Sequence, residues 1–365
     1  MPSHRRSSST KNARVRLAVI GAVVLVVLAV ALFLALSRGG SSTSAITPTK
    51  PSTQPAIPAN RCPLTDLPAP GGHVPQREPI AVKIGNEPGG ARPQSGLNEA
   101  DVVYDTPAEG FIMRYIAIYQ CNSASDVGPV RSVRWVDWHI LAEFRHVALA
   151  YVGGVQPNQQ AVASMPWIDN ANEFVHYNLF HNDPNRTAPD ATYTSTDAIW
   201  RFFPSHAAPA PIFRYDTSLP ADAKPASSVS IDFSAGTDVV WKWDPATGEW
   251  LHTYGGVQDV DALTNQPVAA TNVVVEIVHY TYGPYIESPG GTGDVESVTV
   301  GKGPGYIMRD GKIIPVIWRR ANLSSPTAFS DVGSGDGVGL APGRTWVEIL
   351  PDTIYNEPGH FVVTP

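Results

Sequence analysis

IMRYIAIYQ, residues 112–120, decides how the folded part of this chain is read. Its β-branched and aromatic residues, uninterrupted by Gly or Pro, make a strand. Two shorter runs precede it, PIAVKI at 79–84 and DVVYDT at 101–106, and both read as strands. A Gly-Pro turn follows, then a helix predicted over 135–146 with Trp135, Trp138, Leu141 and Ala142 facing inward. Residues 147–151 form an apolar strand, and 156–165 a second helix that stops before Pro166. A third helix starts from Ser195 as its N-cap and runs to Pro204. Alternating strands and helices predict a mixed α/β domain over 62–205.

From there the texture changes. Pro, Ala and Ser dominate 206–228, a connection between domains, and beyond it the helical period is lost. Residues 239–243 and 250–254 flank a Pro/Gly turn, and Asp310-Gly311 between two β-rich runs signals a two-residue hairpin. Further strands are predicted at 272–280, 295–300, 305–309, 313–318 and 345–350. The expected fold is α+β. An N-terminal mixed α/β domain precedes a mostly antiparallel β domain over 229–365, and both stand behind a single transmembrane helix.

That helix is LAVIGAVVLVVLAVALFLAL, residues 17–36, twenty residues without a charge. At 1.5 Å per residue it reaches about 30 Å, the depth of a bilayer core. Residues 1–16 carry five cations, so the tail stays in the cytoplasm and the rest is extracytoplasmic, a single-pass protein of the cell membrane. Ala35-Leu36-Ser37 also suits a cleaved signal peptide, which leaves two readings that export the same body. Residues 37–61 are Gly, Ser, Thr and Pro with little to bury, a disordered stalk.

The chain of 365 residues has a net charge of −7, but residues 1–61 hold eight Lys or Arg and no acid. Residues 62–365 therefore carry all 33 acids against 18 cations, a net of −15. So acidic a body argues against nucleic acid as a partner. The two cysteines, Cys62 and Cys121, lie on the exported side, where they form either one disulfide or two separate thiols.

Within that acidic body, residues 77–145 are nearly balanced, with seven cations against nine acids. Lys83, Arg92, Asn98, Glu99, Asp101, Glu109, Arg114, Arg131 and Arg134 fall at strand ends or in the loops between strands, and Arg186 follows later. Ligands of open α/β sheets gather at the carboxyl ends of strands, and arginine's fork suits carboxylate or phosphate. These residues are either ligand-binding candidates or a closed ion-pair network. Glu99, Asp101, Asp105 and Glu109 could also supply the carboxyl pair of an envelope hydrolase, provided two stand at about 5–5.5 Å or 6.5–9.5 Å. No Gly-x-Ser-x-Gly nucleophile motif occurs. His176 and His181 lack the companions of a zinc set, so no metal or cofactor is expected. The glycines of 301–305 and the DVGSGDGVG of 331–339 read as turns.

Several motifs, in order, resemble the YerB-like bacterial envelope family, known as domain of unknown function 3048. They are CPLTDLP (62–68), IAVKIGN (80–86), ARPQSGLNEADVVYD (91–105), EGFIMR (109–114) and GPVRSVR (128–134). RTAP (186–189), YTS (193–195) and PGRTW (342–346) complete the set. The resemblance implies an exported lipoprotein or membrane-anchored protein with a mixed N-terminal and a β-rich C-terminal domain, and no established activity. Two departures stand out: the chain has an apolar anchor and no lipobox, and Asp190 occupies the place after Arg-x-Ala-Pro where the family pattern implies His. The expected role is a tethered ectodomain that binds a wall component, a small anionic ligand or an envelope protein.

Overall fold

Strands β1 (Ile80–Ile84), β2 (Val102–Pro107) and β3 (Met113–Tyr119) are buried at every residue, as uninterrupted apolar runs require when both faces of a sheet are covered. They belong to a computed structural model that describes residues 58–365, apart from 205, 234–236, 287–290 and 292. β3 lies antiparallel between the other two, so β1 and β2 run in the same direction. Helix α1 (Trp135–Leu141), strand β4 (Val147–Tyr151), helix α2 (Gln156–Ser164) and strand β5 (Ile168–Asn172) follow. β4 pairs parallel with β1, and β5 parallel with β4. A short pair, β6 (Phe180–Asn182) and β7 (Thr192–Thr194), leads into helix α3 (Thr196–Phe202). Ser195 caps α3 as predicted, its Oγ accepting from the Ala198 N–H at 3.2 Å. α1 falls short of the expected 135–146, because Ala142–Phe144 tighten into a 3-10 turn and Arg145 at φ 67° stops the helix.

The C-terminal region is β-rich. Its strands are β8 (Ser228–Asp232), β9 (Asp238–Asp244), β10 (Glu249–Tyr254), β11 (Asn272–Val278), β12 (Tyr280–Ile286) and β13 (Gly293–Ser297). β14 (Gly301–Arg309), β15 (Lys312–Arg320), β16 (Ala328–Asp331), β17 (Thr345–Pro351) and β18 (Phe361–Thr364) complete it. Asp310 and Gly311, at φ 54° and 65°, turn β14 into β15 with Arg309 opposite Lys312, the two-residue hairpin the dipeptide predicts. The glycines of 301–305 lie in β14 rather than in a turn. A Cβ on Gly303 would stand 2.7 Å from Trp318 Nε1 and 2.8 Å from the Ile277 carbonyl oxygen, so glycine there serves close packing.

β17 is hydrogen-bonded between β11 and β2 and parallel to both. One mixed sheet therefore passes from one region into the other, in the order Gly337–Val338, β16, β15, β14, β11, β17, β2, β3, β1, β4, β5. β8, β9, β10 and β18 form a second, antiparallel sheet. Trp241, Trp250 and Val229 from that sheet share a core with Tyr115, Val103 and Trp346 of the large one. The opposite face of the large sheet packs on Val136, Trp138 and Ile140 of α1 and on Leu64. The connection expected at 206–228 runs along this second core, with Ile212 and Phe213 buried in it.

Cys62 and Cys121 form a disulfide, with Cα atoms 5.9 Å apart. The last residues of the expected stalk belong to the fold: Ala69 N–H donates to the Asn60 carbonyl at 2.8 Å, and Arg61 pairs with Asp66 at 2.7 Å. The tail at 1–16, the membrane helix at 17–36 and the stalk up to 57 lie outside the described residues. Among the described residues no helix is long and apolar enough to cross a membrane.

Candidate functional site

β1, β2, β4, β5, β11 and β17 all run in one direction and end at one edge of the large sheet. Four of the six sequence-predicted cations, Lys83, Arg114, Arg131 and Arg134, collect there. Strand alternation turns Lys83 and Arg114 toward α1, because Val82, Ile84 and Tyr115 beside them face the other core. Lys83 is fully buried and donates to Asp137 Oδ1 at 2.7 Å and to Thr106 Oγ1 at 2.9 Å. Asp137 sits in the first turn of α1, and its other oxygen accepts from the Arg134 backbone N–H at 2.7 Å. Burial pulls the Lys83 ammonium down, and Asp137 works against that.

Three arginines surround this pair. Arg114 donates to Glu87 Oε1 at 2.9 Å, and Arg131 reaches the same oxygen through Nη2 at 2.5 Å and Nε at 3.2 Å. Arg134 holds Glu109 Oε2 at 2.7 Å, and its Nε lies 3.8 Å from Asp294, which the β12–β13 hairpin brings in. Asp190 stands 3.9 Å from Arg131. Burial alone would raise Glu87, but Arg114 and Arg131 outweigh it and hold the carboxyl at about 2. Burial also favours the neutral form of Glu109, and Arg134 overcomes it. Burial lowers Arg114, and the nearby Arg134 charge lowers it further, the mark of crowded cations. Among the described residues, Arg114 Nε, Glu87 Oε2, Asp190 Oδ1 and Asp294 Oδ1 are buried without a hydrogen-bond partner. The network is paired but not closed.

The other predicted residues lie elsewhere. Arg92 pairs with Asp259, donates to Asn86 at 2.6 Å and to the Tyr115 hydroxyl at 3.1 Å, and covers the Tyr254 ring at 3.7 Å. Asn98 donates its backbone N–H to Asp261 at 2.6 Å and its side chain to the Pro267 carbonyl at 3.0 Å, tying the two regions together. Arg186 braces the backbone carbonyls of Gly90 and Pro93 at 2.8 and 2.6 Å.

The carboxyl pair sought among 99–109 is not assembled. Glu99 ends the 3-10 turn Leu97–Glu99. Asp101 is buried, accepting from the backbone N–H groups of Gln120 and Cys121 at 2.5 and 3.0 Å; burial raises it to about 6 against those bonds. Asp105 lies four residues on, about 13 Å along an extended strand, and Glu109 is held by Arg134. Asp105 instead stands in register with Glu348 of β17, both fully buried. Glu348 accepts from Trp241 Nε1 at 2.8 Å. Burial and then the Glu348 charge push Asp105 well above the carboxylate range, and burial raises Glu348 to about 7. Both carboxyls are thus favoured in the neutral form, in a core they share with Tyr115, Trp241 and Trp346, and both Asp105 oxygens and Glu348 Oε2 are buried without a hydrogen-bond partner among the described residues.

His181 bonds Asp126 at 3.0 Å, while His176 packs on Phe202 and Phe203. Sequence reasoning missed Glu87, although it directly follows the IAVKIGN strand. It also missed Asp294 and Glu348, which carry no local signal because they enter from the far half of the chain.

These features coincide with a known family. Residues 64–208 match the family described as Protein of unknown function (DUF3048) N-terminal domain, and 229–347 match its C-terminal domain. The chain is 30% identical over 304 residues to the protein named "Putative lipoprotein YerB" of Bacillus subtilis (strain 168), covering 80% of this chain and 86% of that protein. The crystal structure of YerB protein from Bacillus subtilis has the same fold, with a TM-score of 0.70 and 25% identity, covering 84% of this chain and 99% of that one. With both domains matched and the mixed N-terminal and β-rich C-terminal regions shared, the chain belongs to the DUF3048 family of proteins of unknown function.

Proposed function

We propose that this chain is an exported envelope protein, held at the membrane by its N-terminal apolar segment, whose folded body binds an anionic wall component at the carboxyl edge of the large sheet. The observation that carries the reading is the cluster of Arg114, Arg131 and Arg134. Three guanidinium groups hydrogen-bond two partly exposed acids, Glu87 and Glu109, with Asp190 and Asp294 at 3.9 and 3.8 Å, and Arg114 Nε has no hydrogen-bond partner among the described residues. Glu87 occupies the seat that a ligand carboxylate or phosphate would take, held by the fork of Arg131. The disulfide suits an oxidising compartment outside the cytoplasm. Non-catalytic binding is favoured over hydrolysis, because Glu99, Asp101, Asp105 and Glu109 stand in four separate settings.

The test is a titration of the purified full chain with soluble peptidoglycan fragments and with inorganic phosphate, wild type beside Arg131→Ala. Wild type is expected to bind, and the variant to bind at least about tenfold more weakly, the worth of one charge-assisted bond. Equal affinity in both removes Arg131 from the site.

A further inference from the structure

At the opposite, amino end of the parallel strands lies a second polar group that the arginine cluster does not use. His146 immediately precedes β4, Asp169 is the second residue of β5, and His206 lies in the connection that leaves α3. The two imidazole rings are 3.6 Å apart between centroids, inclined by 34°. A single oxygen, Asp169 Oδ2, faces both: it is 3.3 Å from His146 Nε2 and 3.7 Å from His206 Nε2. One potential ligand atom from each residue lies within 4.8 Å of the others. His206 is fixed by its backbone, whose N–H donates to Glu78 Oε2 at 2.7 Å, and Glu78 is itself buried.

A hydrogen bond accounts for the contact of His146 with that oxygen, but the 3.7 Å to His206 is too long for one. In a tetrahedral site with bonds of about 2.0–2.1 Å, neighbouring ligand atoms stand about 3.3 Å apart. The two nitrogen–oxygen separations, 3.3 and 3.7 Å, lie at or a little above that edge. Two nitrogens and one carboxylate oxygen form a donor set of intermediate softness, which suits zinc-type ions better than magnesium or calcium.

We propose that His146, Asp169 and His206 bind one divalent transition-metal ion of the zinc type, with a fourth position open to solvent. The ion would fasten the outer strand β5 to the segment that carries the chain toward its C-terminal region.

The test uses the full chain, without a histidine tag and stripped of metal by a chelator. Titration with Co2+ is followed by the visible absorption of four-coordinate cobalt and reversed by Zn2+. Wild type is expected to bind one ion per chain, and Asp169→Asn and His206→Ala each to bind at least tenfold more weakly. Zn2+ should raise the thermal midpoint of wild type and not of the variants. His206→Cys, which keeps a ligand, should retain binding, so that a loss in His206→Ala is not mistaken for misfolding. Absence of stoichiometric binding by the folded wild type overturns the assignment, as does unchanged affinity in Asp169→Asn.

Discussion

Asp137 does two things with two oxygens: one closes the first turn of α1 on the Arg134 N–H, and the other receives the buried Lys83 ammonium. Helix and strand are thereby fastened at one carboxylate. Removing one partner of such a pair strands the other charge away from water, at about 3–5 kcal/mol. Lys83→Met should therefore lower unfolding free energy by that order in a denaturant titration. Adding Asp137→Asn, which keeps the cap acceptor but not the charge, should recover much of the loss; a double variant no better than the single would refute the coupling. The buried acids give a pH signature. Glu348 ionises near 4.5 when unfolded and at about 7 when folded. Below both values each state holds the proton. Between them the folded chain binds more protons than the unfolded one, so stability falls as pH rises from about 4.5 to about 7. Glu276, raised by burial to about 8, acts in the same direction. These two carboxyls should thus weaken the wild type between pH 5 and pH 8, against the opposite pull of His139 and His252, which burial lowers. Glu348→Gln, which can still accept from Trp241, should show a shallower decline; an identical slope would show that Glu348 does not keep its proton.

At the level of elements, the strands legible in the sequence are those the fold covers on both sides. β1, β2 and β3 need apolar residues at every position, and their runs announce it. β5 gives no such signal, because Ile168-Asp169-Asn170-Ala171-Asn172 lies at the sheet edge with Asp169 and Asn170 half-buried. The end of α1 was equally hidden, for its last carbonyls are bonded by a partner 180 residues away. Arg320 of β15 is buried and donates to the His139 carbonyl at 2.7 Å and the Ile140 carbonyl at 3.3 Å, placing a cation on the closing turn of α1. It also donates to the Leu323 and Ser325 carbonyls at 2.5 and 3.0 Å. Arg320→Ala should cost about 3 kcal/mol, since several buried carbonyls lose a charged donor together. Arg320→Lys should recover less than half, because an ammonium cannot reproduce the fork. Full recovery by lysine in chemical denaturation would reduce the role of Arg320 to charge alone.

For the whole molecule, the same long-range logic separates the legible part of the site from the rest. Lys83, Glu109, Arg114, Arg131 and Arg134 come from one stretch of sequence and meet at one sheet edge, so their clustering could be read in advance. Asp259, Asp294 and Glu348 could not, since each enters from the C-terminal region to meet Arg92, Arg134 and Asp105. The two family regions are thus adjacent in sequence but interlocked in space. β17 gives β2 its hydrogen-bonded neighbour and carries Glu348, while Trp241 and Trp250 cover the core that Val103 and Tyr115 line. A chain ending at 205 would leave β2 as an open edge, Asp105 without its cross-strand neighbour Glu348, and one apolar face of the sheet in water. Its lost burial cannot be replaced locally. The full chain should therefore unfold in one transition, with tryptophan fluorescence and far-ultraviolet circular dichroism tracing coincident curves. Residues 1–205 alone should show no cooperative transition and should expose apolar surface to a hydrophobic dye. A sharp transition in that fragment, with a midpoint near that of the full chain, would show that the N-terminal region carries its own fold and that the shared sheet is a docking arrangement between two independent bodies.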